Sequence, residues 1–503
     1  MTVLPLDPAA NATPEALRAF LSQCLAAAVL DGQPRLASIS IEVPPLDPLA
    51  VLESIFEPDE LHFYAERPAE EWAVAGAEAV MAFSSGGPDR FVAAQRFIDD
   101  VLGRTIAVGE TERRFGGPHF FGAYSFFDYV EDSEPFPAVQ LFVPRWQVSR
   151  ANDRTIAVAN LLVEPGADID ALATKVWRAH GKFRSFKYGV QGGPAVGGSG
   201  SPHGLVMGKV PVAKGTEHGR DTDAAAGRGR DVQVDASGAH AYRAAVARAV
   251  EMIAGGRFEK IVLARRRELN AAAALNPLKM LNALRQRFPD CYAFSFANGL
   301  GQSFIGASPE RLLRVEQGML LTEALAGSAP RGGSASEDAA LGGALLGDEK
   351  ELREHRHVVA SIERRLAPLG LTVVHASRPG LKRLANVQHL HTPVSAIMPA
   401  NLRLPDVLAR LHPTPAVGGS PREAACANIR ALEGFPRGLY GAPLGWIDHR
   451  GGGEFLVGIR SALLDGARAL VYAGGGIVAG SDPDREFAET ELKFAALLDA
   501  LTG

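Results

Sequence analysis

Cysteine is nearly absent. Cys24, Cys291 and Cys426 are the only ones in 503 residues, too few and too scattered for a disulfide framework or a thiolate metal site, and a reducing compartment is expected. No uninterrupted run of about 18 apolar residues occurs, and the opening Met1-Thr-Val-Leu-Pro-Leu-Asp-Pro8 lacks a basic stretch leading into an apolar one. Neither a membrane span nor a secretory signal is expected. An excess of charge of one sign is missing as well: 52 Lys and Arg stand against 57 Asp and Glu, a formal net charge of −5. That balance offers no general attraction to nucleic acid or anionic lipid, so an acidic ligand has to be met locally, in a pocket. The chain reads as a cytoplasmic protein with a small-molecule partner, no nucleic acid and no membrane, and it is expected to be a monomer.

What is present is core-forming material: 47% of the residues are hydrophobic, ample for a large buried core. Helical periodicity marks residues 14–30, alternation marks 35–43, and the block 61–164 is strand-rich between Gly and Pro punctuation. Residues 1–188 are thus expected to form a sheet-rich N-terminal lobe. From 189 to 238 the composition turns to glycine and polar residues, few of them apolar outside 205–212, which fits a loop or linker insertion. Residues 239–503 form the second region. There, Tyr242, Val246, Ala249 and Ile253 mark a helix stopped by Gly255-Gly256. Strands are expected at 260–265, 292–296, 302–305, 311–315, 384–391, 441–448, 454–461 and 469–473, and helices at 348–366, 405–411, 421–432 and 484–501. Alanine runs at 26–28 and 271–274 suit helices or their edges. Strands in runs, with helices grouped between them, indicate an α+β fold.

Several constellations can carry chemistry. Glu351 with Glu354, and Glu486 with Glu489, are spaced i, i+3 in helical segments, so each pair shares a helix face and can aim two oxygens at one hard cation such as Mg²⁺. Two solvated helix faces would look the same, and the spacing also recurs in Glu57/Glu60 and Glu131/Glu134. Gly208-Lys209 is followed by valine, so no Walker phosphate cradle exists. Gly474-Gly475-Gly476 after an apolar strand is either a tight turn or a place where backbone N–H groups receive a carboxylate. Lys260 opens the strand Ile261-Val-Leu-Ala264, and Glu310 follows Gly306-Ala-Ser-Pro309. Both charges suit solvent at strand ends. If they share one pocket instead, desolvation lowers the amine's pKa and raises the carboxyl's, leaving a neutral base facing a protonated acid. His389 and His391 lie on one side of a strand and permit a His-x-His metal site, although no third nitrogen or sulfur ligand stands nearby, which favours core or hydrogen-bonding roles. Arg460 ends a strand, as a surface residue or as a two-pronged carboxylate clamp.

Taken in order, Phe258-Glu-Lys-Ile-Val-Leu-Ala-Arg265, Phe304-Ile-Gly-Ala-Ser-Pro-Glu310, Leu325-Ala-Gly-Ser-Ala-Pro-Arg331, Glu351-Leu-Arg-Glu-His355, Val387-Gln-His-Leu390, Leu411-His-Pro-Thr-Pro-Ala-Val-Gly-Gly419, Tyr472-Ala-Gly-Gly-Gly-Ile477 and Asp484-Arg-Glu-Phe-Ala-Glu-Thr-Glu-Leu-Lys493 resemble the chorismate-utilising enzymes, the family of anthranilate synthase component I. The resemblance is strong over 239–501 and looser over 61–164. It implies a two-lobed α+β fold of large antiparallel sheets packed together with helices outside. It further implies Mg²⁺ at Glu354 and Glu489, with Glu351 and Glu486 supporting through water, Lys260 as the base that activates water, and Glu310 as the acid that protonates a departing hydroxyl. Arg460, Lys493 and the backbone at Gly474 would hold the ring carboxylate of chorismate. His389 and Gly327 would contact the ring and its enolpyruvyl arm, with Ala416 and Tyr472 completing the substrate set.

Within the family, the aminodeoxychorismate branch carries a lysine nucleophile where this chain has Ala326, and the pyruvate-expelling anthranilate and salicylate synthases usually carry Thr where it has Ala416. The tryptophan-binding signature of the anthranilate enzymes is not found. Pro413-Thr-Pro-Ala416, together with Phe63-Tyr-Ala-Glu-Arg67 and the alanine-rich 73–79 that follows, is similar to the isochorismate synthases. The expected activity is therefore Mg²⁺-dependent interconversion of chorismate and isochorismate, serving menaquinone or siderophore synthesis. The alternatives are a salicylate or anthranilate synthase-like lyase and a non-catalytic binder of a chorismate-like diacid. The glycine-rich 189–238 departs from the compact family pattern.

Overall fold

The computed structural model describes residues 1–4, 13–185, 233–234, 238–384 and 387–502. The insertion expected at 189–238 therefore lies outside the described residues, apart from 233–234 and 238.

Local sequence explains most elements. Thr13 caps the helix Pro14–Asp31 by accepting from the Ala16 N–H, and Asp348 caps Glu349–Leu366 by accepting from Lys350 and Glu351. In the latter helix His355, Val358, Val359, Ile362 and Leu366 recur at helical spacing and are buried, so one face packs inward while its first turn, with Glu351, stays at the protein's edge.

Antiparallel pairing runs without a break from Lys260–Asn270 through Arg468–Val478, Ser461–Asp465, Gln302–Ser308 and Tyr292–Asn298 to Leu61–Arg67. It continues through Trp72–Ser85, Val139–Ala151, His119–Tyr124, Pro443–Asp448, Gly453–Val457, Arg311–Glu316 and Met319–Pro330 to Val387–Ile397. Strands from 61–151 are thus interleaved with strands from 260–478. A branch leaves Val139–Ala151 through Arg154–Val163 to Arg35–Val43, and then in parallel to Thr105–Gly109 and Thr2–Leu4.

The ladder folds over itself. Three strands separate Leu61–Arg67 from Pro443–Asp448, yet Phe63 meets Trp446 edge-on at 6.3 Å, and Trp72 meets Trp446 at 5.2 Å. Phe121, Phe142, Phe294, Phe296 and Phe304 complete this aromatic interior. The helices Arg90–Gly103, Ala239–Ala254, Glu349–Leu366, Leu404–Leu411 and Arg422–Glu433 enclose a second, mainly aliphatic core on the outer face. The expected α+β architecture of packed antiparallel sheets with helices outside is observed.

Differences from expectation have physical causes. The strand expected at 454–461 stops at Val457, because Arg460 adopts a left-handed φ of 49° and the chain turns before Ser461–Asp465. The run 271–274 is a bend at the edge of a helix, one of its two expected places, leading to Asn276, the cap of Pro277–Arg287. Gly474–Gly476 make no turn and lie inside the strand Arg468–Val478. The helices Arg90–Gly103, Pro277–Arg287 and Ala335–Gly347 and the strand Met319–Pro330 were not expected.

A wholly buried ion pair fixes the strand that carries Lys260. Glu433 and Arg437 have no exposed side-chain surface; Glu433 accepts from the Ala264 N–H at 2.6 Å, and Arg437 donates to the carbonyls of Val417 and Val262, each at 2.7 Å. Removing one partner leaves a buried charge uncompensated. Arg437→Met is expected to lower the unfolding free energy by about 3–5 kcal/mol, measured by denaturant titration, with the double variant Glu433→Gln/Arg437→Met losing less. A loss under about 1 kcal/mol in the single variant would show that the pair does not hold this strand.

Candidate functional site

The two glutamate pairs singled out in the sequence occupy the first two turns of Glu349–Leu366 and Pro483–Thr502, whereas Glu57/Glu60 and Glu131/Glu134 lie in turns between elements. Lys260 Nζ donates to Glu354 Oε1 at 2.7 Å across 94 positions of chain, tying the first strand of the ladder to a helix packed on Met319–Pro330 near its far end. Burial alone would raise the Glu354 carboxyl; Lys260 instead holds it below the usual range. A cavity of about 880 Å³ borders this pair, lined also by His357, Ser361, Arg365 and Ser420.

Glu486 accepts from Ser481 Oγ at 2.8 Å, and Lys493 Nζ reaches both Glu489 Oε1 at 2.8 Å and the Gly474 carbonyl at 2.7 Å. Burial raises the Glu351 carboxyl, helped by the charge of Glu354; burial also raises Glu486, helped by Glu489 and opposed by the Ser481 hydrogen bond. Lys350 offsets charge on Glu351, Glu354 and Glu486 alike, so the two helix starts face one another. Among the described residues, no three His, Cys, Asp or Glu side chains converge closely enough to hold a metal ion. The glutamates stand as two pairs, each with a lysine on one member.

The three glycines of Arg468–Val478 make room for side chains. A Cβ on Gly476 would lie 2.9 Å from Lys260 Cε, one on Gly475 would lie 3.3 Å from Glu486 Oε2, and one on Gly474 would lie 2.9 Å from the Tyr440 hydroxyl. Gly327 sits at a bulge in Met319–Pro330 with φ 79°, where a Cβ would lie 3.1 Å from Glu351 Oε2 and 3.1 Å from Leu390 Cδ1. Beyond the bulge, Ser328 Oγ and the Gly327 carbonyl lie 2.8 and 3.3 Å from His389 Nδ1. Burial and the Arg460 charge push the His389 imidazole down to about 4, with Lys493 and Lys382 adding to the effect, so these groups share one site. His391 Nε2 is bonded to Glu323 Oε2 at 2.7 Å. The two histidines thus serve different partners.

Glu310 is buried at 9% exposure. Burial and the neighbouring Glu323 carboxylate push its carboxyl up to about 7, against the charges of Lys382 and Lys260. Lys260 and Glu310 therefore sense one another, although Lys260 is found in an ion pair with Glu354 and not as the free amine expected. Ala416 lies in the loop whose Gly418 carbonyl accepts from Val262, just before the strand Gly419–Ser420 that pairs with Lys260 and Ile261.

Tyr472, two residues before Gly474 in the same strand, is 6% exposed, stacked on Tyr440 at 5.3 Å and packed near Phe304 and Phe435. Tyr440 has its hydroxyl against Gly474, where a Cβ would lie 2.9 Å from it. The sequence reading passed over it, as it did Glu323 and Lys382; its signal was the Gly438-Leu-Tyr-Gly441 turn, where both glycines have positive φ.

This arrangement of strands is shared with known proteins. A sequence profile described as chorismate binding enzyme matches residues 19–192 and 215–502, passing over 193–214 within the expected insertion. The chain belongs to this family. Among its relatives is the salicylate biosynthesis isochorismate synthase of Pseudomonas aeruginosa, 35% identical over 97% of this chain and 94% of that one. Among solved structures, MenF, the menaquinone-specific isochorismate synthase of Escherichia coli, superposes with a TM-score of 0.72 at 25% identity, covering 96% of this chain and 99% of that one. Anthranilate synthase component I of Streptococcus pneumoniae shares the fold, with a TM-score of 0.62 at 20% identity over 85% and 92% of the two chains.

Gly327→Ala places a side chain at a left-handed φ against Glu351 and Leu390. It is expected to cost about 1–2 kcal/mol of stability in thermal or denaturant unfolding. An unchanged midpoint would show that the bulge is not under this constraint.

Proposed function

We propose that this chain is an isochorismate synthase, an isomerase that interconverts chorismate and isochorismate. The observation that carries this reading is the Glu310 carboxyl, buried and pushed up to about 7 within reach of the Lys260 charge. An acid that keeps its proton near neutral pH beside an amine is the division of labour needed to add water and expel a hydroxyl. Lys260, once its contact with Glu354 opens and its ammonium group has released a proton to solvent, takes a proton from water as the water oxygen bonds to the ring. Glu310 gives its proton to the departing hydroxyl, which leaves as water while the ring double bonds shift. One water enters and one leaves, and the enolpyruvyl ether is untouched. Ala326, in place of a lysine nucleophile, leaves no amine there for a covalent route.

Arg460, Lys493, Tyr440 and the backbone at Gly474 are the groups we assign to the ring carboxylate, with His389, Gly327 and Ala416 around the ring and its side arm. Glu351, Glu354, Glu486 and Glu489 offer only oxygen donors, the ligand type that a hard divalent cation takes, and would hold Mg²⁺ from the starts of two helices. When bound, Mg²⁺ supplies the charge that neutralises a substrate carboxylate among these acids.

Purified protein with Mg²⁺ is expected to convert chorismate to isochorismate; salicylate with stoichiometric pyruvate as the main product would move it to the lyases, and binding without turnover would make it a diacid binder. Lys260→Ala and Glu310→Gln are each expected to lower kcat by about 10²-fold or more with the fold intact. Near-normal turnover in either would refute the acid–base assignment. Because Glu310 must carry its proton, the rate is expected to fall as pH rises through about 7. A rate unchanged from pH 6 to 9 would contradict its role. Glu354→Gln is expected to raise the Mg²⁺ needed for half-maximal rate, and an unchanged titration would remove it from the ligand set.

A further inference from the structure

Glu310 is gripped on both sides by charged groups outside the acid–base pair. The carbonyl before it, of Pro309, accepts from Lys382 Nζ at 3.0 Å, and the N–H after it, of Arg311, donates to Glu323 Oε1 at 3.1 Å. Lys382 and Glu323 are themselves joined at 2.8 Å, with side chains only 13% and 8% exposed. The second oxygen of Glu323 receives His391 Nε2 at 2.7 Å. These groups come from the three neighbouring strands Met319–Pro330, Gly380–Arg383 and Val387–Ile397.

A buried ion pair is a poor way to stabilise a sheet, since apolar residues of similar volume do as well or better. Placing one against both peptide groups of a single residue has a more specific use. We propose that Glu323 and Lys382 are positioning residues for the Glu310 acid, clamping its backbone from either side and setting its protonation through their opposed charges. This rests on the reading of Glu310 as the acid. The charged groups that face Glu310 are Glu323, Lys382 and, from the strand Lys260–Asn270, Lys260. His391 stands behind Glu323, and Arg311 turns away to Glu70, Tyr292 and Glu454. Glu323 favours the protonated acid because two adjacent carboxylates resist a second negative charge, and Lys382 keeps that effect in bounds.

The two members of the pair therefore act in opposite directions, which a purely structural contact would not do. In pH profiles of kcat/KM, Glu323→Gln is expected to move the loss of activity at high pH downward by about one unit, and Lys382→Met to move it upward by a similar amount. Lys382→Arg, which keeps the charge, is expected to leave it in place. If Lys382→Met does not fold by circular dichroism, Lys382→Gln is expected to give the same upward shift. ¹³C NMR titration of the Glu310 carboxyl, assigned by comparison with Glu310→Gln, reads the same displacements without turnover. Displacements in one direction for both variants, or none, would overturn the proposal. Opposed displacements in a protein that does not convert chorismate would refute the assigned reaction and leave the clamp standing, whereas normal turnover with unmoved profiles would refute the clamp alone.

Discussion

A carboxyl group buried beside a second carboxylate cannot ionise at its ordinary pH, and the site is organised around that constraint. Glu310 is enclosed, and Glu323, itself kept ionised despite burial by hydrogen bonds from His391 and Lys382, supplies the neighbouring negative charge. In the proposed reaction, the proton that Glu310 retains goes to the leaving hydroxyl. Lys260, across the site, is paired with Glu354, so the amine is held in position by the carboxylate assigned to the cation. The proposed acid, base and cation ligands are thus electrostatically linked.

The ladder is what makes this linkage possible. Lys260 begins one end strand and His389 lies on the other, with many strands between, so only a sheet folded over an aromatic interior can bring them to one cleft. The buried Glu433–Arg437 pair pins the Lys260 strand to the loop that holds Ala416, and the glycines at 474–476 remove the atoms that would otherwise fill the cleft. Packing and chemistry use the same strand.

The apolar periodicity around them placed the paired glutamates near helix starts, since it is a local property, whereas the same i, i+3 spacing at Glu57/Glu60 and Glu131/Glu134 falls in turns. The strand Arg35–Val43 covers the residues that alternation in the sequence marks. What escaped depends on distant partners. Met319–Pro330 was not seen as a strand, because its site-facing end carries Gly327 at a bulge and small residues around it. Glu323 and Lys382 belong to none of the motifs the sequence offers, and only the three-strand register brings them against Glu310. Tyr472 and Tyr440 stack on one another, and which of the two hydroxyls faces Gly474 is decided by the fold of the sheet and not by either tyrosine's neighbours in sequence.

Oxygen exchange tests the central claim, that water adds to the ring while the protonated acid releases a hydroxyl. With chorismate and the protein in ¹⁸O-labelled water, mass spectrometry is predicted to find one ¹⁸O in each isochorismate formed, at the new ring hydroxyl. Isochorismate that retains the original oxygen, with no label from solvent, would contradict it.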